Sequence, residues 1–123
     1  MRLLGAVWDA ELLDVLYAHC LTYLHGHSVG GTNPSLLRAL GAAAPVSAFD
    51  VDFNREVAAD AGVYFSTAED VAQLCEAVEA EPGAALARGE AGQADVAVRY
   101  RWPDVAAAYE ALAQELVSTP RGR

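Results

Sequence analysis

The chain has 123 residues and a mass of 13.0 kDa, the size of one domain with its own core. It is 54% hydrophobic and 20% charged, which excludes a disordered segment and a collagen-like chain. Its 8 basic residues, all arginine, stand against 17 acidic ones for a net charge of −9. So acidic a protein is a poor electrostatic partner for nucleic acid or an anionic membrane. An anionic ligand must therefore be held by placed backbone N–H groups or by single arginines.

The N-terminus and the cysteines indicate an intracellular protein. The first eight residues begin like a signal peptide, but Asp9 and Glu11 interrupt them before a useful apolar stretch forms. No stretch approaches the ~18 apolar residues that a membrane span requires, so we expect a cytoplasmic protein. Cys20 and Cys75 have neither a metal-binding nor a redox spacing, and we expect both to be reduced packing residues.

Short apolar runs alternate with amphipathic segments along the first half of the chain. The runs predict four strands, at Arg2–Val7, Leu21–Leu24, Val46–Phe49 and Val63–Phe65. The spacing elsewhere predicts helices: one capped by Asp9, one from Pro34 to about Leu40, one beginning near Phe53 with Asp52 as N-cap, one from Thr67 to Glu81, a shorter Ala-rich one opened by Pro82, and a last one opened by Pro103. This alternation indicates an α/β fold, a Rossmann-like parallel sheet of about four strands flanked by helices. Residues 1–118 are expected to form the domain and Thr119–Arg123 a loose tail.

Ligands of parallel sheets bind beyond the carboxyl ends of the strands, which directs attention to the loops His25–Asn33 and Asp50–Asn54. The first loop leads into a helix through the segment Gly30-Gly31-Thr32-Asn33-Pro34-Ser35. Paired glycines permit close approach of a ligand, Asn33 suits an N-cap, and Pro34 suits the first helical position. The unpaired N–H groups and the dipole of such a helix end favour a phosphate. A tight turn with a well-capped helix explains the same residues equally well.

Two histidines flank Gly26 in the first loop. As a metal pair, His25 and His27 lack a third ligand nearby, so no metal site is predicted. Hydrogen bonding to a sugar or phosphate and hydrogen bonding to the loop backbone remain as the two interpretations.

Two arginines lie in the helices that follow these loops. Arg38 could reach a phosphate, pair with a carboxylate or lie in solvent. Arg55 lies in a first helical turn, where a positive charge is unfavourable, and its structural interpretation is an ion pair with Asp52 or Glu56.

Four segments in order resemble a known family. They are Tyr23–Leu37 (YLHGHSVGGTNPSLL), Ala48–Val57, Asp60–Phe65 and the aromatic segment Tyr100–Ala106. Together they resemble the bacterial family-4 glycosyltransferases, in particular the rhamnosyltransferase-like branch, over about Leu4 to Leu116. The first resembles the donor site of that family, the next two its following units, and the last the start of its closing helix.

The resemblance implies a GT-B architecture, with this chain as a truncated C-terminal lobe that binds a nucleotide sugar. The family transfers a sugar from a nucleoside diphosphate with retention, usually without a metal, and no cofactor is implied. The resemblance does not identify a catalytic residue. The donor-binding residues that it implies, with the loop and helix end described above, are His25, His27, Gly30, Gly31, Thr32, Asn33, Ser35 and Arg38.

The resemblance also implies that the acceptor-binding N-terminal lobe lies outside this chain. We therefore expect donor binding but no sugar transfer by the chain alone, unless a separate N-terminal lobe joins it. The alternative is a non-catalytic oligomeric or interaction module, in which an exposed sheet edge and apolar face pair with another copy or with a partner.

Overall fold

A three-stranded parallel sheet organises the chain, as seen in a computed structural model that describes residues 3–118. The strands are β1 (Tyr23–His25), β2 (Val46–Phe49) and β3 (Gly62–Phe65), in the order β1-β2-β3. Tyr23 pairs with Val46 and Val46 with Gly62. The helices are α1 (Ala10–His19), α2 (Pro34–Gly41), α3 (Asp52–Ala58), α4 (Ala68–Ala80), α5 (Pro82–Arg99) and α6 (Trp102–Ser118), with a 3₁₀ turn at Ala59–Ala61. The prediction of an α/β fold with a parallel sheet flanked by helices is confirmed.

The predicted first strand is wrong. Residues 3–9 belong to no strand, and Leu3 is 83% exposed. Gly5 has a φ of +71°, which turns the chain out of the extended conformation. An apolar segment forms a strand only where its backbone can hydrogen-bond to the edge of a sheet. Within the described residues the sheet therefore has three strands and not four. Arg2 and the expected tail Thr119–Arg123 lie outside those residues.

Helix starts follow the capping residues at three of the predicted positions. Asp9 accepts hydrogen bonds from two backbone N–H groups of α1, and Asn33 caps α2. Thr67 and Asp70 form a reciprocal capping box at the start of α4. The prediction for α3 is wrong: Val51 is the N-cap, without a side-chain bond, and Asp52 is the first helical residue.

The Ala-rich helix after Pro82 was also wrongly predicted to be short. It is α5, which runs for 18 residues through Gly89 and Gly92. Both glycines face neighbouring elements. A Cβ on Gly89 would lie 2.1 Å from the carbonyl oxygen of Ala43, and one on Gly92 would lie 2.9 Å from Leu40 Cδ2. Gly89 therefore lets the backbone of α5 approach the connection between α2 and β2, and Gly92 lets it approach Leu40 of α2 and Ala61 of the 3₁₀ turn.

The core lies between the sheet and the helices α2, α3 and α5. Its buried apolar members are Leu36, Ala39, Leu40, Ala44, Val46, Ala48, Val57, Ala58 and Val96. By contrast, α6 has no buried residue, and its large apolar side chains are exposed. None of the helices in the described part of the chain is long and apolar enough to cross a membrane.

Candidate functional site

The candidate site lies where β1 ends and its loop leads into α2. We call it the β1–α2 site and define it as the segment His25–Ser35 together with Tyr23 and Asn54, which contact it. His25 is the last residue of β1, and residues 26–33 form the loop. The site therefore occupies the carboxyl end of the sheet, as expected for a parallel α/β fold.

The N-terminus of α2 is satisfied by the protein itself. Asn33 Oδ1 accepts hydrogen bonds from Ser35 N at 2.9 Å and from Ser35 Oγ at 2.7 Å. The N–H groups of Leu36 and Leu37 both donate to the carbonyl oxygen of Asn33, and Pro34 has no N–H to offer. The expected set of unpaired N–H groups in this first turn is therefore not found. A phosphate at this site would depend on the loop before the helix.

A chain of hydrogen bonds runs from this cap to His25. Ser35 Oγ must donate to Asn33 Oδ1, since a carbonyl-type oxygen only accepts. The 3.0 Å contact between Ser35 Oγ and the Tyr23 hydroxyl then uses the proton of Tyr23. The Tyr23 oxygen, having given its only proton away, accepts at 3.2 Å from Nδ1 of His25. The proton of neutral His25 therefore lies on Nδ1, and Nε2 is a bare acceptor.

His25 is buried at 1% exposure, and within the described residues its Nε2 has no hydrogen-bond partner. Burial lowers the pKa of His25 below its ordinary value of 6.5, and the neighbouring His27 lowers it further. The two imidazole rings stack with 4.6 Å between their centroids. His25 is thus neutral at pH 7, with an uncompensated lone pair in an enclosed position.

Asn54 connects the loop to the end of β2. Its Nδ2 donates to the carbonyl oxygens of His27 and Phe49, at 3.0 and 2.9 Å. This orientation leaves Oδ1 as an acceptor, which is buried and has no partner among residues 3–118. The site therefore contains two buried acceptors, one on His25 and one on Asn54, that only a hydrogen-bond donor can satisfy.

The loop itself is open to solvent. Gly30 has a φ of +127°, a conformation that side-chain-bearing residues rarely adopt. Residues 26–29 line a cavity of about 400 Å³. Within the described chain, the backbone N–H groups of Gly30, Gly31 and Thr32 have no hydrogen-bond acceptor. These three groups are the donors that the loop can present to a ligand.

The two arginines singled out from the sequence both pair with carboxylates. Arg38 Nη2 lies 2.7 Å from Asp14 Oδ1, so it is held against α1. Arg55 Nη2 donates to Asp50 at 2.8 Å, and its guanidinium lies 4.3 Å from the ring centroid of Tyr64. Pairing of Arg55 with Asp52 or Glu56 was therefore wrongly predicted. The Arg55 guanidinium lowers the pKa of the Asp50 carboxyl by hydrogen bonding and charge.

Tyr23 and Asn54 were not predicted as site residues. Tyr23 lies two residues before His25 on the same face of β1, and this period of two was the available signal. The part played by Asn54 had no such signal, because its two acceptors are 5 and 27 residues away in the chain.

No group of three or more His, Cys, Asp or Glu side chains in residues 3–118 is arranged to hold a metal ion. Both cysteines are free and half-buried.

Comparison with known proteins gives no match: neither a family model, nor a curated protein, nor a solved structure resembles the chain significantly.

Proposed function

We propose that the β1–α2 site binds the nucleotide-sugar donor of a glycosyltransferase reaction, as the resemblance of Tyr23–Leu37 to family-4 glycosyltransferases implies. The observation that carries the proposal is the bare, buried Nε2 of His25 beside an open glycine loop. A sugar offers what this nitrogen lacks, because each of its hydroxyl groups can donate a hydrogen bond.

The sugar is assigned to the acceptors of the site. A hydroxyl that donates to His25 Nε2 removes the cost of an unsatisfied buried acceptor, and Asn54 Oδ1 offers a second position of the same kind. Because both atoms are enclosed, the neighbouring loop must move for the hydroxyl to reach them. The part of the loop at Gly30, Gly31 and Thr32 has free N–H groups within the described chain, whereas His27 is held by its hydrogen bond from Asn54.

The diphosphate is assigned to the loop N–H groups of Gly30, Gly31 and Thr32. Successive backbone N–H groups form a concave anion site without any charged side chain. Such local donors are needed because the chain carries a net charge of −9. Arg38 is occupied by Asp14, so it is assigned no part in phosphate binding unless that ion pair opens.

Isothermal titration with UDP, dTDP and GDP, each as the free diphosphate and with an attached hexose, tests the proposal. We expect weak binding that strengthens when the sugar is present. His25→Gln should remove the gain from the sugar, and His19→Gln, a change at the exposed C-terminal turn of α1, should leave it intact. Circular dichroism checks that each variant is folded. No heat with any of these ligands at millimolar concentration would refute the proposal.

The pH dependence of binding tests the role of the lone pair. A protonated imidazole has no acceptor, so sugar-dependent binding should be fully present at pH 7. It should be lost as the pH falls through the pKa of His25, which lies below 6.5. If protonation instead strengthened binding of the free diphosphates and of the nucleotide sugars alike, His25 would act as a cation toward phosphate, and the sugar assignment would be wrong.

Transfer of the sugar is assigned to a two-lobed arrangement. Enzymes of GT-B architecture work between lobes, which position the acceptor and exclude water. We therefore expect this domain to bind the donor and to require an acceptor-binding lobe for transfer.

A further inference from the structure

The exposed face of α6 has the spacing of a helix-pairing seam. Its large apolar residues recur at alternating intervals of three and four, which are the a and d positions of a heptad: Trp102, Val105, Tyr109, Leu112 and Leu116. All five are exposed, Trp102 at 82% and Leu116 at 69%. We call this set the α6 stripe, and no member of it belongs to the β1–α2 site.

The residues beside the α6 stripe suit close approach of a second helix. Three of the flanking e and g positions carry alanine, at Ala106, Ala108 and Ala113. The acidic residues Asp104 and Glu110 lie at the outer b and c positions, away from the seam. A partner helix would therefore meet small side chains and little charge along most of the length of α6.

We propose that α6 pairs antiparallel with α6 of a second copy of this chain. In the register that aligns a with d positions, Trp102 lies opposite Leu112 and Val105 opposite Tyr109, and twofold symmetry repeats both pairs. The same register brings Arg101, at a g position, opposite Glu115 of the second copy, again twice. The helix dipoles then also oppose one another favourably.

Charge selects this arrangement over the parallel one. In a parallel pair, Arg101 would lie beside Ala106 and Ala108 beside Ala113, so no opposite charges would meet. Among residues 3–118 of one copy, the side chain of Arg101 has only a loose contact with Asp104, at 3.6 Å, and both side chains are largely exposed. Arg101 therefore gives up little interaction energy within its own copy when it pairs with a second copy.

The available area predicts a reversible dimer. Two helices of this length, about 25 Å, bury roughly 1,000 Å² between them, which is at the lower end of specific interfaces. A groove of about 700 Å³ adjoins the stripe, and its lining includes Ala97, Tyr100 and Trp102. In the proposed register Leu116 of the second copy extends past Trp102 toward this groove, which adds contact area.

Sedimentation analysis with a reducing agent, over about 5 to 500 µM, tests the pairing. The reducing agent is needed because Cys20 and Cys75 are free thiols. We expect dimers that dissociate on dilution. Leu112→Glu should weaken the dimer at least about 30-fold, because it buries a charge in the seam. Ala107→Glu makes the same charge change on the outer face of α6 and should have little effect. Unchanged circular dichroism would show that both variants fold.

A charge exchange tests the register. Arg101→Glu and Glu115→Arg should each weaken the dimer, and the double variant should restore it, since opposite charges again meet across the pair. A monomer throughout the concentration range would overturn the proposal, as would a dimer that survives Leu112→Glu. A dimer in which the double variant is no tighter than the single variants would overturn the antiparallel register.

Discussion

Two consecutive helices of nearly equal length, α5 with 18 residues and α6 with 17, have opposite environments. α5 contains few large apolar side chains, yet it lies against the core with Ala85, Gly89, Gly92 and Val96 buried. α6 carries five large apolar residues on one face and buries none of its residues. Hydrophobicity alone would have predicted the reverse.

The difference teaches that the fit of a surface decides which helix is buried. Gly89 lets α5 approach the backbone at Ala43 more closely than any side chain would allow, so the two surfaces match in shape. The large side chains of α6 find no such match in the described residues. A helix with little side-chain volume can thus be indispensable to the core, and a strongly apolar one can be free to bind something else.

The largest expected effect comes from filling the closest approach of α5. In Gly89→Ala, the new Cβ meets a backbone oxygen that cannot move without shifting the connection between α2 and β2. We expect the free energy of unfolding to fall by about 3 kcal/mol or more, despite the better helix propensity of alanine. Urea denaturation measures the change. Gly83→Ala, in the open first turn of α5, is the control and should be neutral or stabilising. Equal stability of the two variants would show that α5 does not pack as described.

A smaller loss is expected at the C-terminal end of α5, where Arg99 ties it to α3. Its guanidinium donates to the carbonyl oxygens of Glu56 and Val57, at 3.0 and 2.8 Å. Arg99→Met keeps the aliphatic stem and removes these bonds, so we expect a loss of about 1–2 kcal/mol in unfolding free energy. Arg101→Met, at the exposed residue before α6, is the matched control, with both variants measured at a concentration too low for pairing of α6. If Arg99→Met were as stable as this control, the hydrogen bonds of Arg99 would not contribute to holding α5 against α3.

Gly92→Ala is expected to cost about 1 kcal/mol. Its Cβ would meet the end of the flexible Leu40 side chain at 2.9 Å and the Cβ of Ala61 at 3.0 Å. Leu40 can shift, whereas the carbonyl beside Gly89 cannot, so the cost is smaller than for Gly89→Ala. Denaturation of the two variants under the same conditions checks this order, and a reversed order would contradict the contacts described for α5.

The smallest effect is expected on α6. Leu112→Ala, measured at a concentration too low for pairing, should change the unfolding free energy by less than about 0.5 kcal/mol. The same substitution at buried Leu40 should cost about 2–5 kcal/mol. A large loss of unfolding free energy from Leu112→Ala in a dilute monomer would mean that α6 packs against the rest of its own chain. The environments of α5 and α6 would then not be opposite.

Local signals in the sequence located the helices whose starts depend on one side chain. Asn33 and Thr67 cap α2 and α4 as their residue types indicate. The failures share a different cause, because each depended on contacts in the folded structure that residue type and spacing do not specify. The run before Trp8 pairs with no strand among the described residues, the helix opened by Pro82 is longer than predicted, and Arg55 pairs with Asp50 and not with Asp52 or Glu56.

The candidate site likewise has features that residue types predict and features that depend on contacts in the folded structure. The glycine loop and its two histidines were recognisable, because their residue types carry chemistry in any context. The direction of the hydrogen bonds was not recognisable, since it depends on Tyr23, Ser35 and His25 meeting in space. The number of unpaired N–H groups at the N-terminus of α2 was overestimated for the same reason. Asn33, which was predicted to be a good cap, accepts hydrogen bonds from the N–H groups of that first turn.

A chain of hydrogen bonds runs from the cap residue Asn33 through Ser35 and Tyr23 to His25. The helix cap therefore helps to determine which nitrogen of the imidazole carries the proton. To move its proton to Nε2, His25 would need the Tyr23 and Ser35 hydroxyls to reverse together, and Asn33 offers no proton for the last of these bonds. His25 Nε2 should therefore give the nitrogen resonance of an unprotonated, pyridine-type atom. Ser35→Ala should release that restriction and mix the two tautomers. A residue type selected for beginning a helix thus also decides which imidazole nitrogen can act as a base.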